Sequence, residues 1–176
     1  MRTVFLKKLI EEARQDSNLF LLTADLGYRA LEEFQDEFPE RLINVGVAEQ
    51  NMIGVATGLA LSGKNVCVYS IVPFVTFRCF EQIRNNISHN NLNIKIIGVG
   101  GGFSYGDQGI SHNTTEDFAV MRTLPNFNIL CPGDKIEAEL VIKAMFNDAK
   151  PAYIRLGKAP NISVYESIPK FRIGEG

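Results

Sequence analysis

The sequence predicts an α/β fold: a doubly wound, mostly parallel sheet with helices on both faces. Three observations carry that expectation. Short apolar runs of strand length recur along the chain, stretches with helical apolar spacing lie between them, and Gly, Asp and Asn cluster where one kind of segment gives way to the other.

Phe5, Leu6, Leu9, Ile10 and Ala13 recur at helical spacing with charges between them, which marks a first amphipathic helix ending near Asp16-Ser17-Asn18. Leu19–Thr23 follows as an unbroken apolar run, the pattern of a strand covered on both faces, and stops at Ala24-Asp25-Leu26-Gly27. Residues 30–38 read as a helix and 42–45 as a strand. Residues 48–61 read as a helix so rich in small and apolar side chains that full burial is expected. Asn65–Ile71 is the next strand, 74–87 a single helix, and 92–99 a strand. A short helix at 116–122, a strand at 127–131, a helix over Lys135–Asn147 and a strand over Ala152–Leu156 complete the alternation. Residues 170–176 look like the start of a further strand, so 161–176 are expected to be a linker to a C-terminal domain beyond this sequence.

With 45% apolar and 22% charged residues, the composition suits an ordinary globular domain. The net charge of −2, with both signs interspersed, offers no basic stripe for nucleic acid. The apolar runs are too short for a membrane span, and the first residues form a charged amphipathic segment, not a secretory leader. A cytoplasmic location is expected. Cys67, Cys79 and Cys131 show neither CxxC nor Cys/His spacing, so neither a disulfide framework nor a metal site is read from them.

In an open parallel sheet, ligands sit beyond the carboxyl ends of the strands, which directs attention to the loops there. Glu49 opens the apolar helix after one such loop. It reads either as a first-turn acid complementing the helix dipole or as a desolvated carboxyl able to hold a proton near neutral pH. Phe74, Phe77 and Phe80, three residues apart, read either as a core stripe or as an aromatic wall. The glycine-rich stretch 100–109 does not open a helix at once, so it is a poor dinucleotide fingerprint and better suited to close backbone approach. His112 reads as either an incidental loop residue or a catalytic one.

Taken in order, Asp25-Leu26-Gly27, the segment Asn44-Val45-Gly46-Val47-Ala48-Glu49-Gln50-Asn51, the Phe74/Phe77/Phe80 triplet, and Gly109-Ile110-Ser111-His112 through Leu124-Pro125-Asn126 resemble the transketolase family. They are also similar to deoxyxylulose phosphate synthase, a relative. The resemblance implies that residues 1–160 form a pyrimidine-binding domain for thiamine diphosphate. It implies that Glu49 bonds the pyrimidine ring and triggers deprotonation of the thiazolium carbon, that Phe74, Phe77 and Phe80 surround the ring, that Asp25 lies near the thiazolium, and that His112 faces substrate. The Gly-Asp-Gly motif and asparagine that hold Mg2+ and the diphosphate in that family are not found here, and Gly106-Asp107-Gln108-Gly109 does not match them. The other half of the site is therefore expected from a diphosphate-binding domain or subunit, in a homodimer or heterotetramer. Gln108, Gly100 and Lys158 stand where phosphosugar transketolases carry aspartate, histidine and arginine. The resemblance thus points to two-carbon transfer between sugars whose donor is a ketose or a modified sugar, with Gln108, His112 and Lys158 lining the substrate. A pyruvate dehydrogenase-type β subunit, a deoxyxylulose phosphate synthase-like enzyme, and a non-catalytic nucleotide-binding or dimerisation module are the alternatives.

Overall fold

The computed structural model describes residues 1–157 and 164–174. In chain order the elements are α1 (Arg2–Gln15), β1 (Leu19–Thr23), α2 (Glu32–Glu37), β2 (Leu42–Asn44), α3 (Glu49–Leu61), β3 (Asn65–Ile71), α4 (Val72–Val75), α5 (Phe80–Gln82), β4 (Ile94–Val99), α6 (Asp117–Met121), β5 (Asn128–Leu130), α7 (Lys135–Asn147) and β6 (Ala152–Leu156). The strands form one six-stranded sheet in the order β2-β1-β3-β4-β6-β5, and every pairing is parallel.

Two cores sandwich this sheet because strand side chains alternate between its faces. Leu19, Leu21, Cys67, Tyr69, Ile97 and Ile154 meet α1, α2 and α7 on one face. Leu22, Val66, Val68, Ile94, Ile96 and Tyr153 meet α3, α4 and α6 on the other. Every residue of β4 is buried, which is why that strand reads as an apolar run interrupted by a single charge, Lys95. At the start of α7, Asp134 caps the helix by accepting from the Glu137 N–H at 2.8 Å.

The chain adds β2 on one side of β1 and then β3 on the other. The carboxyl ends of β1 and β3 therefore flank a topological switch point, where the diverging loops leave a crevice.

Three local expectations change. The single helix foreseen at 74–87 is broken: α4 starts earlier, at Val72 with Pro73 beside it, stops at Val75, and α5 runs into a π-helical turn over Ile83–Ser88. The Thr76 hydroxyl donates to the Val72 carbonyl at 2.7 Å and the Arg78 N–H reaches five residues back to Pro73, so the hydrogen-bond register slips at this point. Helix α3 is not buried all round, since Met52, Ile53 and Ala56 face the sheet while Gln50, Gly54, Gly58 and Leu61 are not buried. Residues 164–174 form no strand; Phe171 and Ile173 instead rest against the core on the α1 and α7 side. Among the described residues no helix is long and apolar enough to cross a membrane.

Candidate active site

The loops after β1 and β2 are stitched together at the switch point. The Asn44 side-chain oxygen accepts from the Asp25 N–H at 2.9 Å and the Gly46 N–H at 3.0 Å, while its amide nitrogen lies 3.3 Å from a carboxylate oxygen of Asp25. Asp25 sits in the left-handed region at φ 55°, a conformation that Asp tolerates better than bulkier residues. Gly27, at φ 99°, turns so tightly that an added Cβ would lie 2.5 Å from Leu31. Asp25 is thereby held at the rim of a cleft that Thr23, Tyr28, Glu32 and Asn44 also line.

Glu49 is the first residue of α3 and only 2% exposed. Its Oε2 accepts from Nη1 of Arg78 at 2.8 Å. Arg78 belongs to the break between α4 and α5, and its side chain is 44% exposed. The Gln50 amide donates to the Arg78 carbonyl at 2.9 Å, a second tie between the start of α3 and the break. The guanidinium carbon lies 4.3 Å from the centre of the Phe74 ring, within cation–π range. Phe74 in turn meets the His112 ring edge to face at 5.0 Å, and Tyr105 also meets His112 edge to face, at 5.7 Å. Glu49, Arg78, Phe74, His112 and Tyr105 thus form one continuous row across the carboxyl end of the sheet. At its inner edge, burial together with the Glu49 charge pushes the Cys79 thiol up to about 12, which keeps it protonated and unreactive.

The loop that carries His112 is anchored at both ends. Thr114 donates its N–H to the Gly102 carbonyl at 3.0 Å in an isolated antiparallel bridge. Below the bridge the fully buried Asp117 carboxylate accepts from Thr114 Oγ1 at 3.0 Å, Tyr153 Oη at 2.7 Å and Arg155 Nη1 at 3.1 Å. Burial, reinforced by the Asp117 charge, raises the Tyr153 phenol well above its ordinary pKa and keeps it a donor. Gly101 lets the Arg155 side chain lie against the loop backbone, since an added Cβ would overlap the guanidinium. At the tip, the Ser111 hydroxyl is 2.9 Å from His112 Nδ1, and Gln108 ends an exposed 3-10 turn, Gly106–Gln108.

Among known protein families, the model of the transketolase pyrimidine-binding domain matches residues 1–161. The chain belongs to that family. It is 40% identical over 179 residues to the transketolase C-terminal section assigned in Methanocaldococcus jannaschii, an alignment covering 100% of this chain and 57% of that protein. An apulose-4-phosphate transketolase subunit of Phocaeicola vulgatus is 37% identical over 167 residues, covering 94% of this chain and 54% of that relative. A solved split-gene transketolase, an inactive β4 tetramer, superposes with a TM-score of 0.86 at 35% identity, over 99% of this chain and 56% of that one. This pyrimidine domain therefore spans about half the length of the curated relatives it matches.

Within the pyrimidine domain, the residues singled out from sequence meet different fates. Glu49, Phe74 and His112 belong to the row, and Asp25 stands at the neighbouring switch-point cleft. The helix break separates Phe74 on α4 from Phe80 on α5: Phe77, in the break, is 36% exposed and Phe80 packs against the core on the α3 side. Lys158 lies outside the described residues. Sequence reasoning missed Arg78 and the Asp117–Arg155 pair. Arg78 carried a signal, as a charge set inside an aromatic cluster, whereas Asp117 looked like an ordinary first-turn acid. Among the described residues no three His, Cys, Asp or Glu side chains are grouped as metal ligands.

Proposed function

We propose that this chain supplies the aminopyrimidine half of a thiamine diphosphate site in a cytoplasmic transketolase-type enzyme that moves a two-carbon unit between sugars. The observation that carries the proposal is Glu49, a carboxylate buried at the carboxyl end of the sheet and joined through Arg78 to the face of Phe74 and, beyond it, a loop histidine. An acceptor that charge-bonds a planar cationic donor beside a ring suits an aminopyrimidine, which presents a ring N–H and a flat face.

When bound, thiamine diphosphate supplies a thiazolium carbon that reacts as a carbanion. Glu49 would bond the pyrimidine ring nitrogen that lies across the ring from the exocyclic amino group and share the proton there that lets the exocyclic nitrogen act as a base. Phe74, Phe77 and Phe80 would surround the ring and exclude water from the carboxylate. Asp25, fixed by Asn44, would stand towards the thiazolium, and the anchored loop would present His112 and Gln108 to the sugar, with Lys158 as a further substrate contact. Gln108 offers a neutral amide to the substrate, which suits a ketose or modified sugar; one relative is named for apulose-4-phosphate.

Mg2+ and the diphosphate would be held by a separate domain or subunit. The relatives named as a C-terminal section, as a transketolase subunit and as a split-gene β4 tetramer support a pairing of that kind, in a homodimer or heterotetramer. Calorimetric titration with thiamine diphosphate and magnesium tests the division. The chain alone should bind weakly, and addition of the diphosphate-binding partner should create tight binding together with ketose turnover. Submicromolar binding by the chain alone would overturn the proposed division of the site.

A further inference from the structure

Arg78 makes, from within the chain, both contacts that the proposed function asks of the pyrimidine ring. It delivers an N–H to Glu49 Oε2 at 2.8 Å, and it lays a flat cationic group over Phe74 at 4.3 Å. A guanidinium and a protonated aminopyrimidine are alike in the features this site reads: planarity, positive charge, an N–H aimed at a carboxylate and a face for an aromatic ring. The two cannot hold Glu49 and Phe74 in this way at once.

We infer that Arg78 is an internal stand-in for the aminopyrimidine, and that cofactor binding requires the guanidinium to swing out of the row. This rests on the thiamine diphosphate reading of the site. Three features make the exchange feasible. The Glu49 carboxylate is enclosed and needs a counter-charge whenever the ring is elsewhere, since a buried unpaired charge is strongly unfavourable. The arginine itself is nearly half exposed, so its departure opens no cavity in the core. Its backbone is held in the slipped register between α4 and α5, by its N–H on Pro73 and its carbonyl on Gln50, so the side chain can leave the row without the main chain moving. Arg78 thereby sets an order of events: the unassembled chain keeps its acid neutralised, and the ring gains Glu49 only by displacing a competitor.

The competition is measurable by binding and stability as well as by turnover. In the protein assembled with its diphosphate-binding partner, R78A should tighten thiamine diphosphate binding by about tenfold, the gain expected when a closed form that holds about nine-tenths of the molecules is removed. The same substitution should lower the Tm of the chain, because Glu49 loses its counter-charge. The double variant E49Q/R78A should recover most of that Tm, since a neutral amide needs no counter-ion. R78K, which keeps the charge but not the flat face, should fold like the parent and tighten binding by about threefold, and it serves if R78A is too unstable to purify. Equal affinity in parent and variants, or weaker binding in R78A and R78K, overturns the stand-in and leaves Arg78 a bystander or a cofactor ligand. If neither parent nor variant binds thiamine diphosphate in the assembled protein, the proposed function fails and the stand-in with it.

Discussion

The two ends of the sheet bury charge to the same depth and use it differently. At the amino end, Lys95 on β4 is 3% exposed and donates at 2.6 Å to the main-chain carbonyls of both Asp148 and Lys150, just past α7. Around it Asn65 binds Asp16 at 2.6 Å and Asn93 binds Asn65 at 2.9 Å, so side chains there tie turns together. At the carboxyl end, Glu49 is as deeply buried, but its partner is a half-exposed side chain, and Tyr28, Val47, Phe103 and Ile110 stand exposed on the surrounding loops. Under the proposed function, depth of burial does not distinguish a structural charge from a chemical one. The proposal puts the difference in the partner: the backbone carbonyls that hold Lys95 are fixed, whereas the half-exposed guanidinium that holds Glu49 is a side chain a ligand would displace.

The largest expected effect is at the carboxyl end. Glu49→Gln should keep the fold and most cofactor affinity yet lower turnover of the assembled enzyme by about 10²–10⁴-fold, the usual worth of a positioned acid–base group. Hydrogen–deuterium exchange at the thiazolium carbon of bound cofactor reads this directly, and exchange at the parental rate would place Glu49 with Lys95 among the structural charges.

Lys95→Met should do the reverse, destabilising the chain by about 1–3 kcal/mol by leaving buried carbonyls without a donor. Turnover per folded molecule should not change. Burial lowers the Lys95 pKa to about 8, so the unfolded chain holds a proton there that the folded one releases between that value and the ordinary lysine range. Stability relative to Lys95→Met should therefore rise as the pH is raised through this window. Chemical denaturation from about pH 7 to about pH 11 checks both statements, and a flat difference would mean that Lys95 stays charged in the fold.

The smallest effect is expected at the loop. His112→Ala should lower turnover about tenfold, the equivalent of one modest contact, with little change in cofactor affinity. Steady-state kinetics beside a cofactor titration separates the two. Equal losses would move His112 into the cofactor shell, through Phe74.

Much of the architecture was legible because the central strands are covered on both faces and show as mostly apolar runs. Glu49 stood out for a related reason, as the only charged residue in α3. The break at Thr76 was not legible, because the Phe spacing carries helical period straight through it, while the Thr76 hydroxyl bond to Val72 and the Arg78 N–H bond to Pro73 that mark the break are local details. Nor were the partners: Arg78 is 29 residues from Glu49 and Arg155 is 38 from Asp117, distances that only the sheet order brings together.

That order has a consequence for how the chain is made. Strand β6 is the last of the six to be synthesised, yet it lies inside the sheet, between β4 and β5. Until Ala152–Leu156 leaves the ribosome, the wholly buried β4 presents an open edge of unpaired N–H and carbonyl groups, and β5 has no neighbour on which to register. At about 5–20 residues per second, that edge stays available for several seconds to any other extended chain. Released chains truncated just short of residue 152 should therefore be far more prone to aggregate than chains that include residue 156.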